Sequence, residues 1–145
     1  MCKFYCTFAE NYETATKMNK VVSKRFFSDN VAEIVVEAPL IARSRKAGHF
    51  VIVRVDKGGE RMPLTISDAD VEKGTITLVV QRIGVSSSKL CALEAGDIIA
   101  DLVGPLGKAT AISNYGTVVC ACGGVGAAPM LPIARALKDA GNRII

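Results

Sequence analysis

The sequence predicts a mainly β chain: a six-stranded antiparallel barrel followed by the first βα unit of an α/β domain. Three observations point there. Between residues 19 and 103, short apolar runs alternate with turn residues. At Gly104-Pro105-Leu106-Gly107 the pattern breaks at a sharp joint. From about Ala111 onward the period of two gives way to one continuous apolar run, a glycine corner and a helix-length segment. Short strands spaced by turn signals indicate a sandwich or barrel, and closure into a barrel removes exposed edges. A continuous apolar strand feeding a helix indicates an α/β unit instead.

Residues 1–17 carry no basic start, long apolar core or small-residue cleavage site, so a signal peptide is not expected. They form an N-terminal extension expected to be disordered, with a clean strand pattern beginning at Met18. The barrel is assigned to 18–107. Its strands are expected at 20–27, 32–37, 50–55, 62–67, 75–82 and 98–103. Ser28-Asp29-Asn30, Lys57-Gly58-Gly59-Glu60, Lys73-Gly74 and Ala95-Gly96-Asp97 separate them. A helix over 86–93 interrupts the order, with Ser86, Ser87 or Ser88 available as its cap. The truncated α/β domain is assigned to 111–145. Val118 to Cys122 should be a strand buried on both faces, and 127–140 a helix closed by Gly141.

Three stretches can carry chemistry. In Glu60-Arg61-Met62-Pro63-Leu64-Thr65, a proline removes a ladder N–H and opens the sheet to an approaching ligand. Arg61 offers a planar fork of donors suited to phosphate, and Thr65 shares its face. In Gln81-Arg82-Ile83-Gly84-Val85-Ser86-Ser87, a strand passes through glycine into a serine-rich helix start, collecting free N–H groups and hydroxyls. In Gly123-Gly124-Val125-Gly126, with Pro129 shortly after, a strand turns through glycines into a helix N-terminus. That geometry suits phosphate, because the backbone can approach an anion and the helix dipole favours it. Two such cradles, one on a barrel and one on a βα turn, suggest two nucleotides facing each other.

The bulk numbers limit the alternatives. The formal charge of +4 is spread along the chain, and no nucleic-acid partner is expected. No apolar run approaches the ~18 residues of a membrane span. The five cysteines match no zinc or disulfide spacing; Cys120 and Cys122 are expected as small core residues, and the usage suits a reducing, cytoplasmic setting. His49 is the single histidine and is expected to be structural or solvent-facing. No metal site, nucleophile elbow or carboxylate pair is visible, so no catalytic side chain is assigned and chemistry must come from a bound cofactor.

The ordered segments GHFVIVRV, GERMPLTI, GTITLVVQRIGVSSSKL, DLVGPLGK and GTVVCACGGVGAAPMLPIARALKDAGN resemble the ferredoxin–NADP reductase superfamily. More closely, they resemble the electron-transfer subunits of the dihydroorotate dehydrogenase and sulfide dehydrogenase kind, and of NADH-dependent reduced ferredoxin:NADP oxidoreductases. The resemblance implies an FAD-binding barrel, an NAD(P)H-binding α/β domain, and electron transfer to an iron–sulfur centre or ferredoxin. It implies that Arg61, Pro63, Leu64 and Thr65 serve the flavin and its phosphates. It places Val80, Gln81 and Arg82 beside the ribityl and adenosine parts, and Gly84, Ser86 and Ser87 at the pyrophosphate. It gives Gly123, Gly124, Val125, Gly126 and Pro129 to the nicotinamide nucleotide. Full-length relatives continue further and end in a [2Fe–2S] cysteine cluster, which is not assigned to this chain. A larger catalytic partner subunit is also implied. Two alternatives stay open: a non-catalytic barrel module for a protein or single-stranded nucleic acid, and an inactive gene fragment.

Overall fold

The structure, a computed structural model, describes residues 19–145; the expected extension over 1–17 lies outside them. Six strands form one antiparallel sheet: β1 (Val21–Ser28), β2 (Val31–Glu37), β3 (Phe50–Arg54), β4 (Met62–Asp70), β5 (Thr75–Gln81) and β6 (Asp101–Leu106). Their order is β1-β2-β5-β4-β3-β6. The two ends meet. Val21 N–H donates to the Asp97 carbonyl at 2.8 Å and Ile99 N–H to the Asn19 carbonyl at 3.0 Å, which closes the barrel. The expected mainly-β fold is borne out.

Alternation explains the core. In β2, Ala32, Ile34 and Val36 point inward; in β5, Ile76, Leu78 and Val80 do the same. Val51 and Val53 of β3 and Ile66 of β4 complete the inner face, all essentially unexposed. Each Val, Ile or Leu among them contributes about 1.5–3 kcal/mol on burial. Two short helices plug the barrel: α1 (Pro39–Ser44) through Ile41 and Ala42, and α2 (Val85–Ala92) through Leu90 and Cys91.

Four details depart from expectation. The helix α1 was not anticipated; Pro39 begins it, where a missing N–H costs nothing, but six residues leave little periodicity to read. The sixth strand runs through Gly104-Pro105 instead of stopping before it, with Ile98 held only by a bridge to Lys20. Because β6 pairs within this sheet only with β3, the proline sits on a strand with a free edge. The helix α2 starts at Val85, and its N-cap is Gly84, not a serine.

The fourth concerns the last segment. There β7 (Thr117–Val118) and β8 (Arg143–Ile144) pair in parallel, joined by α3 (Ala127–Asp139). The described chain thus completes a βαβ unit, one strand more than expected. The anticipated buried strand over 118–122 shrinks, however: Val119 is 72% exposed, Cys122 is exposed and Cys120 only half-buried. A strand is buried on both faces only when neighbouring strands flank it and helices cover it. Among the described residues β7 has one parallel partner and one helix. The helix end follows the sequence closely. Gly141 adopts φ +90°, its N–H donates to the Lys138 carbonyl and Asn142 N–H to the Leu137 carbonyl, a Schellman stop.

Candidate functional site

The outer face of the barrel brings two of the three motifs together. Phe50, Ile52 and Arg54 of β3 point outward, opposite Thr65, Pro63 and the approach to Arg61. Pro63 and Arg61 are exposed, and Leu64 packs partly against the core. The N-terminus of α2 lies alongside. Ser86 Oγ donates to Glu60 Oε2 at 2.7 Å, tying the helix start to the residue before Arg61. Ser87 Oγ reaches back to accept from the N–H of Ile83 at 3.1 Å and of Gly84 at 3.0 Å. A serine hydroxyl therefore does hold this loop, from inside the first turn and not from the cap. A Cβ at Gly84 would meet nothing within 4 Å, so the loop leaves open space over the helix start.

Charges surround this corner. Arg61 Nη1 lies 2.9 Å from Asp101 Oδ2, and Arg54 Nη2 lies 3.5 Å from the same oxygen. Lys89 of α2 pairs with Asp56 at 2.8 Å, and its hydrogen bond holds the Asp56 carboxyl below the usual range. Sequence reasoning missed Asp101 and Arg54, and gave Glu60 no role of its own within the stretch that it opens. Asp101 stands directly opposite Arg54 in the β3–β6 register, a relationship that no local spacing reveals.

The β5 motif divides by parity. Gln81 points outward and is half-buried, Arg82 is exposed, and Val80 is 2% exposed with its side chain in the core. Val80 can therefore meet a ligand through its backbone alone.

The third motif faces the barrel. Gly124, Val125 and Gly126 form a short 3-10 turn, with Gly124 at φ +53°, and α3 follows directly. A Cβ at Gly123, Gly124 or Gly126 would meet nothing within 4 Å, which is the open backbone an anion needs. Pro129 lies half-buried in the first turn of α3. A cleft of about 770 Å³ separates this turn from the outer face of the sheet. Gly124, Val125 and Ala128 form one wall; Thr77, Val79 and Gln81 form the other.

Two further side chains bear on the region: Asn142, which the sequence did not single out, and His49, which it gave as structural or solvent-facing. Asn142 is 6% exposed and clasps the loop before β7. Its Nδ2 donates to the carbonyls of Ser113 at 2.8 Å and Leu137 at 2.7 Å, while Oδ1 accepts from Tyr115 N–H. His49 Nδ1 accepts from Lys46 N–H at 3.1 Å, a local structural bond.

Comparison with known proteins defines the class. No family model matches the chain. It is similar to the solved structure of an NADH-dependent reduced ferredoxin–NADP oxidoreductase, a system of flavin-based electron bifurcation. The TM-score is 0.86 and the identity 40%, over 88% of this chain and 46% of that one. Phthalate dioxygenase reductase shares the fold at a TM-score of 0.73 and 22% identity, over 92% of this chain and 43% of that one. The fold is that of the ferredoxin reductase-like class.

Within that class, the particular relatives are electron-transfer subunits of oxidoreductases. The dihydroorotate dehydrogenase B (NAD(+)) electron transfer subunit homolog of Thermotoga maritima is 40% identical over 129 residues, 89% of this chain and 46% of that protein. The corresponding electron transfer subunit of Bacillus cereus (strain Q1) is 27% identical over 131 residues, 86% of this chain and 50% of that protein. The chain spans about half the length of these curated relatives. The resemblance read from the sequence is borne out. No helix among the described residues is long and apolar enough to cross a membrane.

Proposed function

We propose that this chain is the flavin-binding part of an oxidoreductase electron-transfer subunit, in which FAD lies on the outer face of the barrel and a nicotinamide dinucleotide meets it from the 123–126 turn. One observation carries the reading: the glycine turn and the Gln81 strand, picked out separately in the sequence, face each other across one cleft. The proposed division is a barrel over 18–107 and the first part of a nucleotide domain over 111–145, with 1–17 an extension.

The residues present fit such a ligand. Arg61, with Gly84, Ser86 and Ser87 beside it, offers a cation, hydroxyls and a helix N-terminus to phosphates. Pro63 and Thr65 present an interrupted edge and a hydroxyl to a ring lying against β4. Gln81 and Arg82, with the backbone of Val80, would support the intervening chain. The turn at Gly123, Gly124, Val125 and Gly126, capped by the first turn of α3 with Pro129, would take the second pyrophosphate. FAD held there would supply the redox chemistry between a nicotinamide dinucleotide and one-electron acceptors. The protein's own task is to hold and orient; no side chain needs to move a proton.

An iron–sulfur centre of a larger partner subunit, or a ferredoxin, would receive the electrons. The relatives' being electron-transfer subunits supports a partner subunit in this reading. A cytoplasmic setting is proposed from cysteine usage. The competing binding-module reading has one observation in its favour: Phe26 and Phe27 are exposed on β1, each with a cation over its ring.

A visible spectrum of the purified chain decides. The expected result is a flavin spectrum, either as isolated or after FAD is added. A colourless protein that takes up no FAD would overturn the proposal.

A further inference from the structure

Along β4, Met62, Leu64 and Ile66 pack inward, so strict alternation would send Asp68 into the core. It does not go there. The β4–β5 register steps from Ile66 opposite Leu78 to Asp68 opposite Thr77, which makes Ser67 an extra residue, a β-bulge. Ser67 is 3% exposed, and its Oγ donates to the Thr77 carbonyl at 2.9 Å, so the extra residue is fixed in place. Bulges of this kind re-aim a side chain. Here the beneficiary is Asp68, brought to the outer face.

There Asp68 serves two arginines. Its Oδ2 pairs with Arg135 Nη1 at 2.8 Å, and its Oδ1 lies 3.4 Å from Arg45 Nη2 while accepting from the Ala69 N–H. Arg45 is the C-cap of α1 and belongs to the barrel. Arg135 belongs to α3, the helix that starts directly behind the glycine turn. Among the described ion pairs, Asp68–Arg135 is the one joining α3 to the six-stranded sheet.

The geometry points to Asp68 as a positioning residue: the Ser67 bulge aims its carboxylate at Arg135, and the pair sets the angle between the strand bearing the Arg61–Thr65 motif and the helix bearing the glycine turn. Both partners are about half exposed, so the pair adds little to global stability. Its effect is on orientation. Resting on the flavin reading above, it would fix the approach of the two nucleotides, where a misplacement of about 1 Å costs roughly a hundredfold in rate.

The test uses backbone residual dipolar couplings of the full ¹⁵N-labelled chain, with FAD uptake measured on the same samples. In the unsubstituted protein, amides of α3 and of the barrel should fit one alignment tensor. Arg135→Ala and Asp68→Asn should each shrink the fitted tensor of α3 at least twofold and leave the barrel fit and the melting temperature unchanged. Arg135→Lys should restore the common tensor. Couplings of α3 that follow the barrel in both Arg135→Ala and Asp68→Asn overturn the proposal, as does an α3 that is already independent without substitution. Failure to take up FAD together with the expected coupling changes overturns the flavin reading and upholds the positioning role.

Discussion

Arg61 and Asp101 are already partners: guanidinium Nη1 and carboxylate Oδ2 stand 2.9 Å apart on the outer face of the barrel. A phosphate arriving at Arg61 must share or displace that carboxylate. Arg61→Ala is therefore expected to weaken FAD binding by about 1.5–3 kcal/mol, the range for a charged hydrogen bond. Asp101→Asn should do the opposite and tighten binding by about 0.2–1 kcal/mol, the worth of the half-exposed pair that no longer competes. Calorimetric titration of apoprotein reads both. Unchanged affinity in the first variant removes Arg61 from the site.

Two glycines separate folding from binding. Gly107 adopts φ +86°, and a Cβ there would lie 2.8 Å from the Phe50 ring. Gly107→Ala should cost about 1–2 kcal/mol from the left-handed backbone, before any cost of moving the ring. Gly84 has φ −126° and open space around it. Gly84→Ala should cost about 0.5–1 kcal/mol, because alanine is the poorer N-cap, and weaken FAD uptake well beyond that, because a methyl then stands over the helix start. Denaturant melts and FAD titration, run on both variants, distinguish these effects.

Asn142 satisfies three backbone groups from a buried position. Asn142→Ala leaves them short of partners, at about 1–3 kcal/mol. The loss should appear locally. Amide exchange should quicken around 113–118 and 142–145, while the inner strands of the barrel keep their protection. A uniform loss across the barrel would mean the clasp is not local.

The cysteines should react in order of burial. Desolvation pushes the Cys91 thiol above its ordinary range, although Arg82 and Lys24 pull the other way. Cys122 is exposed. Brief alkylation at about pH 8, followed by peptide mapping, should mark Cys122 and spare Cys91 until the chain unfolds. Because the folded state holds the Cys91 proton more tightly than the unfolded one, that contribution to stability is complete below the ordinary thiol value of 9.0 and is lost as pH rises through and above it. Alkaline melts of Cys91→Ala should fall less steeply with pH than those of the unsubstituted protein.

Most strands were legible because turn residues separate them, such as Lys73-Gly74 with Gly74 at φ +65°; β4, which runs on to Asp70, and β6, which runs through Gly104-Pro105, were read with other bounds. The stop of α3 was legible for the same reason, in Gly141. What escaped depends on partners distant in sequence. The pairing of Arg61 with Asp101 and of Arg54 with Asp101 needs the β3–β6 register. The exposure of Val119 and Cys122 needs a count of neighbouring strands, which an apolar run cannot supply. In the candidate site, the motifs announced themselves through glycine, proline and serine, whereas the acidic residues beside them looked like ordinary surface charges.

The bulge at Ser67 also has an arithmetical meaning. Up to Ile66 the even-numbered residues of β4 belong to the interior; past Ser67 the rule inverts. Removing that single serine would leave Ile66 inward, Asp68 outward and Ala69 inward in unbroken alternation, whereas keeping it in regular pairing opposite Thr77 would turn the Asp68 carboxylate toward Ile76 and Leu78. A strand of the same length in which the bulge is flattened would carry the same letters and the wrong parity.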